Sequence, residues 1–314
     1  MSRLGFLPSI AATLFFSLAL CSTTQAAART YVSVTGNDGN PCTYTSPCRL
    51  FQHAHDVVDA GGEVIALTSG GYGTLTITKN VTISGVGVSA VASPFSTESA
   101  ITIATTGITV VLRSISIRAF GAGTGGNGIS VTAVGNLHIE GCVISGFVNN
   151  GINVNLTEDG SHILMKDTIV RNNSSIGLLI QTTTGIVSAS IDNCRAERNG
   201  TAGFYAANNS RVTINRTVAS GNTVAGFYVF GSGAGANTEL SCEECVASNN
   251  QYGFFVDGFL GGVGTVRVSH STVTNNTLFG FYQSGTGVFN TLGNNLLRGN
   301  GTDTTGTITT ITLQ

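Results

Sequence analysis

The chain has 314 residues, 42 of them Gly, no Trp, 10% charged residues and a formal net charge of −2. Glycine stands at about twice its usual share and charge at under half, while 41% hydrophobic residues are enough to bury a core and exclude a disordered chain. The charge balance excludes nucleic acid as a partner, because that requires a basic face.

Residues 1–28 read as a secretory signal peptide. Arg3 gives the positive start, residues 4–20 are apolar, and Ala26, Ala27 and Ala28 supply small residues for cleavage. A membrane anchor is the competing reading, but the apolar stretch is short for one and no second such run follows. Leu18-Ala19-Leu20-Cys21 leaves lipid anchoring at Cys21 open, although Leu20 is large where such a signal takes a small residue. The mature chain is expected to be secreted or periplasmic, with no membrane span once the signal is removed.

Six of the seven cysteines lie beyond the signal. Cys42 and Cys48 flank a turn containing Pro41 and Pro47, which in an oxidising compartment predicts a local disulfide. Cys242-Glu243-Glu244-Cys245 has the CxxC spacing of redox and zinc sites. No second CxxC and no paired His accompany it, so zinc is not supported. Between these, Leu50, Phe51, Ala54, Val57 and Val58 recur at helical spacing and predict an amphipathic helix over residues 47–60.

From residue 128 the chain repeats itself. Gly128, Gly151, Gly177, Gly203, Gly226, Gly253 and Gly280 each open a short apolar run, at intervals of 23, 26, 26, 23, 27 and 27 residues. A second track ends each time in Asn: Asn173, Asn199, Asn222, Asn250, Asn276 and Asn300. Five residues before each Asn stands Thr168, Cys194, Thr217, Cys245, Ser271 or Asn295.

The runs are too short for helices and rich in Val, Ile, Thr and Phe. Several strands per recurring unit of about 25 residues describe one coil of a parallel β-helix. Stacked coils put equivalent side chains about 4.8 Å apart. The asparagines then form an amide ladder, Phe204, Phe227, Phe254 and Phe281 stack inside, and glycine supplies positive φ after each corner. Cys142, Cys194 and Cys245 share one internal column two coils apart, too far for bridging, and are expected with Cys242 to be inert core thiols.

Over about residues 60–314 the sequence resembles the pectin-lyase-like superfamily of right-handed parallel β-helix proteins. Its start, from Tyr31-Val32-Ser33-Val34 through Asn40-Pro41-Cys42, then Cys48-Arg49-Leu50-Phe51-Gln52-His53-Ala54 and Gly61-Gly62-Glu63-Val64, is similar to that of exported bacterial members. The resemblance implies an all-β, right-handed parallel β-helix solenoid, with residues 47–60 as its N-terminal capping α-helix. Residues 29–314 are then one domain, with 29–63 as N-terminal cap and 64–314 as coils. The alternating segment 308–313 is expected to cover the far end, reached through a Gly/Thr-rich stretch 301–307. Gly123–Gly128 matches a dinucleotide fingerprint in letters alone, since a strand follows it rather than a helix.

Two outer features carry the functional readings. Lys166, Asp167, Asp192, Arg195, Arg216, Glu243, Glu244 and His270 form a charged outer stripe. Asp192 and Glu243 lie in one column about 10 Å apart, near the separation of an inverting glycosidase pair. Asp192, Arg195, Arg216, Glu243 and His270 are thus the catalytic candidates, against a solvated charged face. Superfamily members use paired carboxylates with Lys or Arg on one outer sheet. No such clustered set is found here, nor a calcium-holding aspartate set.

The other feature is aromatic. In Gly-Phe-Tyr-Val the flanking apolar residues face in and the middle ring faces out, which exposes Tyr205, Tyr228, Phe255 and Tyr282, with Phe230 and Asp257 two places on. Such a row suits stacking on sugar faces or docking a partner, or serves only cross-strand stabilisation. Variable loops at 155–162, 181–185, 231–238 and 257–264 flank it. Three functions follow: binding of an extracellular polysaccharide, surface glycan or cell-surface partner; a polysaccharide lyase, hydrolase or epimerase; or a non-catalytic, adhesin-like scaffold.

Overall fold

The computed structural model describes residues 27–94, 97–119 and 125–312. Residues 1–26 of the expected signal segment, Cys21 among them, and Gly123 and Leu313 lie outside the described residues. Three parallel sheets wrap a common core: twelve strands in sheet I, ten short strands in sheet II and ten in sheet III. One coil runs Ser210–Asn215 in sheet I, Val218–Ser220 in sheet II and Ala225–Ser232 in sheet III. Each strand pairs with its equivalent one coil away. Ten strands at about 4.8 Å make a rod roughly 45 Å long.

The corner between sheets I and II is a left-handed residue: Ser114, Asp167, Asn193, Arg216, Glu244 and His270 all have φ between 46 and 54°. Non-glycine residues rarely adopt this region. Here N–H groups from one corner bond carbonyls of the next coil, as Arg216 donates to Glu243 at 3.1 Å. Just inside that corner Thr168, Thr217 and Ser271 accept the backbone N–H of Cys142, Cys194 and Cys245 at 3.1–3.3 Å.

At the next corner stands the asparagine ladder. The Nδ2 of Asn173, Asn199, Asn222, Asn250 and Asn276 each donates to the Oδ1 of the following member at 2.9–3.1 Å. Each of those oxygens also accepts the backbone N–H of the asparagine one coil earlier. All five are at most 2% exposed, so every rung satisfies groups that water cannot reach.

The repeated glycines do not have positive φ, contrary to the sequence expectation; Asn172, Arg198, Gly221, Asn249, Asn275 and Gly299 take that conformation instead. Gly177, Gly203, Gly226, Gly253 and Gly280 are required by contact. A Cβ at Gly203 would lie 2.8 Å from the Gly226 carbonyl oxygen and 2.9 Å from Asn222 Nδ2, and Gly177, Gly226, Gly253 and Gly280 are equally confined.

Phe204, Phe227, Phe254 and Phe281 fill the core, the first three stacked at 5.4 and 4.5 Å, the last edge-on at 5.8 Å. Cys142 and Cys194 are free and buried, and burial pushes their thiols up to about 11 and about 12. Cys242 and Cys245 are not free thiols but a disulfide. They belong to neighbouring columns on either side of the first corner, so the bridge runs across the corner rather than along a column. Cys42 and Cys48 are also joined.

The cap departs from expectation in length. Helix α1 covers Phe51–Val57 only, because Val58–Ala66 is drawn into sheet I between Ala27–Val32 and Val81–Ser84. Phe51, Ala54 and His55 face the core, whereas Leu50 and Val57 are exposed. At the other end Thr302–Thr305 is a further strand of sheet III, not a connector. Ile308–Thr310 adds to sheet I beside Val288–Thr291 and does not fold across the end. Two expected loops are shorter than 231–238 and 257–264: Ala225–Ser232 and Tyr252–Phe259 run on in register through Ser232 and Phe259, and sheet I resumes at Asn237 and Val263.

Two outcomes follow. Asn222→Ala orphans the buried Asn199 N–H and takes one of the two acceptors of Asn199 Nδ2, which keeps the Val170 carbonyl. An orphaned buried donor costs about 1–3 kcal/mol, so chemical denaturation should show a loss of that order. Buried His55 accepts the Thr78 N–H at Nε2 and faces Asp56 through Nδ1. Burial lowers its pKa from 6.5 despite the Asp56 contact. Its folded pKa is below the unfolded one, so its contribution is present above about pH 6.5 and is lost as pH falls through that value. Unfolding free energies measured between about pH 5 and 8 should show this slope, and His55→Gln should remove it.

Candidate functional site

The outer face of sheet III is set by strict alternation. Phe204, Ala206 and their equivalents point in; the register Tyr205↔Tyr228↔Phe255↔Tyr282 then lines four rings along the outside. Tyr205 and Tyr228 are 4.4 Å apart at 16°, Tyr228 and Phe255 4.5 Å at 9°, and Phe255 and Tyr282 4.9 Å at 41°. Planes this close to parallel put ring against ring. The faces expected to receive sugars are thus covered by neighbouring rings, and what the ladder offers on the outside is ring edges and half-buried phenols.

Tyr252 and Phe279 join the ladder, 5.2 and 4.9 Å from Tyr282. The sequence reading missed them, although each immediately precedes a repeat glycine and pairs with its equivalent one coil away. Phe230 and Asp257 are paired in register. Phe230 lies 6.1 Å from Tyr228, and Asp257 accepts the Gly258 N–H at 2.8 Å.

Tyr205 and Tyr228 at this end of the ladder are half-buried. They stack with their phenol groups side by side. Burial pushes Tyr228 up to about 12, with the Asp257 charge adding to it. Burial, the neighbouring Tyr228 and Asp257 raise Tyr205 further. Both phenols stay neutral over the physiological range and present O–H groups that donate and accept. Farther along the outer face, Asn155 pairs with Gln181, and among the described residues the occluded Asn155 Oδ1 has no hydrogen-bond partner.

The charged stripe is dispersed. Asp192 and Glu243 do share a sheet I column, with Asn215 between them, but each faces its own basic side chain. Asp192 pairs with Arg216 at 2.5 Å, and Glu243 with His270 at 3.4 Å. Arg195 lies around the corner in sheet II against Glu197. Asp167 is bound by Asn193 at 2.6 Å and lies 4.0 Å from Lys166. Glu244 occupies a left-handed corner position. The carboxylates therefore do not converge on one point, and none of these residues is on the aromatic sheet.

Arg267, which the sequence reading passed over, pairs with Glu239 at 2.8 Å beside a groove of about 210 Å³ lined by Thr213, Ser241 and Asn290. Cys42, Cys48 and His53 bring possible ligand atoms within 4.8 Å of one another. The disulfide occupies both sulfurs, which leaves the imidazole alone. Among the described residues no helix is long and apolar enough to cross a membrane.

Exposed ion pairs contribute about 0.2–1 kcal/mol. Arg216→Ala should therefore lower stability by no more than that in thermal or denaturant unfolding, and the loss should shrink as salt is raised.

A family model described as "Right handed beta helix region" matches residues 127–300, and no curated protein matches the chain. Among solved structures, pectate lyase Pel9A is similar at a TM-score of 0.56 and 18% identity, covering 84% of this chain and 67% of that one. The Azotobacter vinelandii mannuronan C-5 epimerase AlgE4 A-module gives 0.53 and 14%, over 81% and 91%. Tailspike protein 2 from Escherichia coli O157:H7 bacteriophage CAB120 gives 0.54 and 14%, over 76% of this chain but 35% of the tailspike. At these identities the likeness is one of fold. With three parallel sheets coiled about one core and a family model spanning over half of its length, the chain belongs to the right-handed β-helix family.

Proposed function

We propose that the protein is exported and binds an extracellular polysaccharide along the outer face of sheet III. The observation that carries this is the outward cluster of Tyr205, Tyr228, Phe230 and Asp257 on sheet III: two neutral phenols and a carboxylate beside an aromatic wall. Sugar hydroxyls need donors and acceptors held in place, with apolar surface alongside. Contact is through ring edges and hydroxyls, since the ladder occupies its own faces. Export is supported by residues 1–28 and by two disulfides, which persist in oxidising compartments. The pectate lyase and the mannuronan epimerase, similar in fold, carry polysaccharide names.

The scaffold reading is favoured by one observation, the ring-on-ring stacking, which stabilises adjacent coils whether or not anything binds. Catalysis by Asp192, Arg195, Arg216, Glu243 and His270 has no comparable support, because their charges are paired off at separate places.

Isothermal titration against a panel of defined oligosaccharides separates these readings. Binding by the wild-type chain, weakened at least tenfold by Tyr228→Ala and by Asp257→Asn with unchanged circular dichroism, is the expected result. Equal binding by wild type and both variants, or no binding by any, would leave the scaffold reading.

A further inference from the structure

We infer that the polysaccharide bound on sheet III is a neutral one, with uronate polymers turned away by the charge layout of that face. The inference rests on the proposed binding role and concerns its specificity. Of the thirteen Lys and Arg beyond residue 26, none lies on any of the ten sheet III strands, and none of the five His does either. From Ile101–Ala104 onward, the loops that carry the chain from sheet III into sheet I also lack Lys, Arg and His. Lys79 is the one cation in an earlier loop of that set, and it is held by the carbonyls of Asp56 and Val58 at the cap.

The cations stand elsewhere. Arg113, Lys166, Arg211 and Arg267 are on sheet I; Arg118, Arg171, Arg195 and Arg298 are on sheet II. The charges that the sheet III strands do carry are negative: Asp257, beside Phe230, and Asp303 at the last strand. Glu158 and Asp159 stand in the loop after Ile152–Leu156.

A carboxylate on every sugar must lose water to lie on this face, and no guanidinium or ammonium is there to replace it. Asp257 adds direct repulsion beside the tyrosines. A neutral glycan meets neither cost. Its hydroxyls find the Tyr205 and Tyr228 O–H groups and the Asp257 carboxylate, which accepts from hydroxyl donors. Such binding involves few charges on either side, so it should respond weakly to salt.

The test uses the full-length mature chain and matched hexasaccharides, neutral (cello-, xylo- and manno-) and acidic (galacturonate and mannuronate), at about 20 and 150 mM salt. At least one neutral hexasaccharide should bind, with a Kd that changes less than twofold with salt and rises at least tenfold in Tyr228→Ala. The uronates should bind at least tenfold more weakly than it. A uronate that binds as tightly as the best neutral probe, with that binding lost in Tyr228→Ala, would overturn the inference while leaving the binding role intact. If no hexasaccharide of either kind binds, the binding role falls and the inference with it.

Discussion

The interlock of two columns, asparagine and glycine, is the constraint on which the architecture depends. An asparagine amide at the second corner bonds upward, downward and back to the preceding strand, as Asn222 does to Asn250 and to the Ala196 carbonyl. It fits only because the facing residue, Gly203, has no Cβ. Either column alone would fail. An alanine at the glycine would push the amide out of line, and an apolar residue at the asparagine would strand backbone N–H groups in a dry corner. Recurrence of both at equal steps fixes how one coil sits on the next.

Once that register is fixed, every other column follows. Parallel strands one coil apart put like on like, so a single phenylalanine position becomes an internal stack and a single tyrosine position an external one. The first corner is handled differently, with a left-handed residue and a small side chain inside it. Threonine or serine there accepts a backbone N–H; cysteine fills the same volume without doing so. That tolerance is why Cys142, Thr168, Cys194, Thr217 and Cys245 alternate, and why only Cys245, with Cys242 across the corner, forms a bridge.

Most of this was legible in the sequence because a solenoid turns periodicity into geometry. The asparagine track, the internal phenylalanines and the outward tyrosines all came from spacing alone. What was not legible is what spacing cannot encode. A recurrent glycine signals either positive φ or a close neighbour, and letters do not separate the two; Gly203 is the second kind, and Arg198 supplies the turn. A column says which side Tyr228 is on but not the tilt of its ring, and that tilt hides the surface a sugar would stack on. The cap helix stops at Val57 because a non-repeating strand, Ala27–Val32, makes Val58–Ala66 a better strand than a helix end. Asp192 and Glu243 were correctly placed in one column, yet their partners Arg216 and His270 come from the corner beside them, and so the charges close on themselves.

The aromatic ladder therefore has two consequences that cannot be separated by position. Ring stacking across four coils stiffens sheet III where its strands are longest, and the same stacking turns hydroxyls and edges outward. A surface that must hold a long flexible chain gains from being rigid before contact, because less freedom is lost on binding. Stability and recognition then draw on the same residues. Removing a phenol oxygen while keeping the ring (Tyr228→Phe) alters the outward chemistry and spares the stack, whereas removing the ring alters both. The absence of Lys, Arg and His from the strands of sheet III, with Arg198 at the corner before it, follows the same division. Sheets I and II carry several ion pairs, whereas the stacked face presents hydrogen-bonding groups and, on its strands, only the negative charges of Asp257 and Asp303.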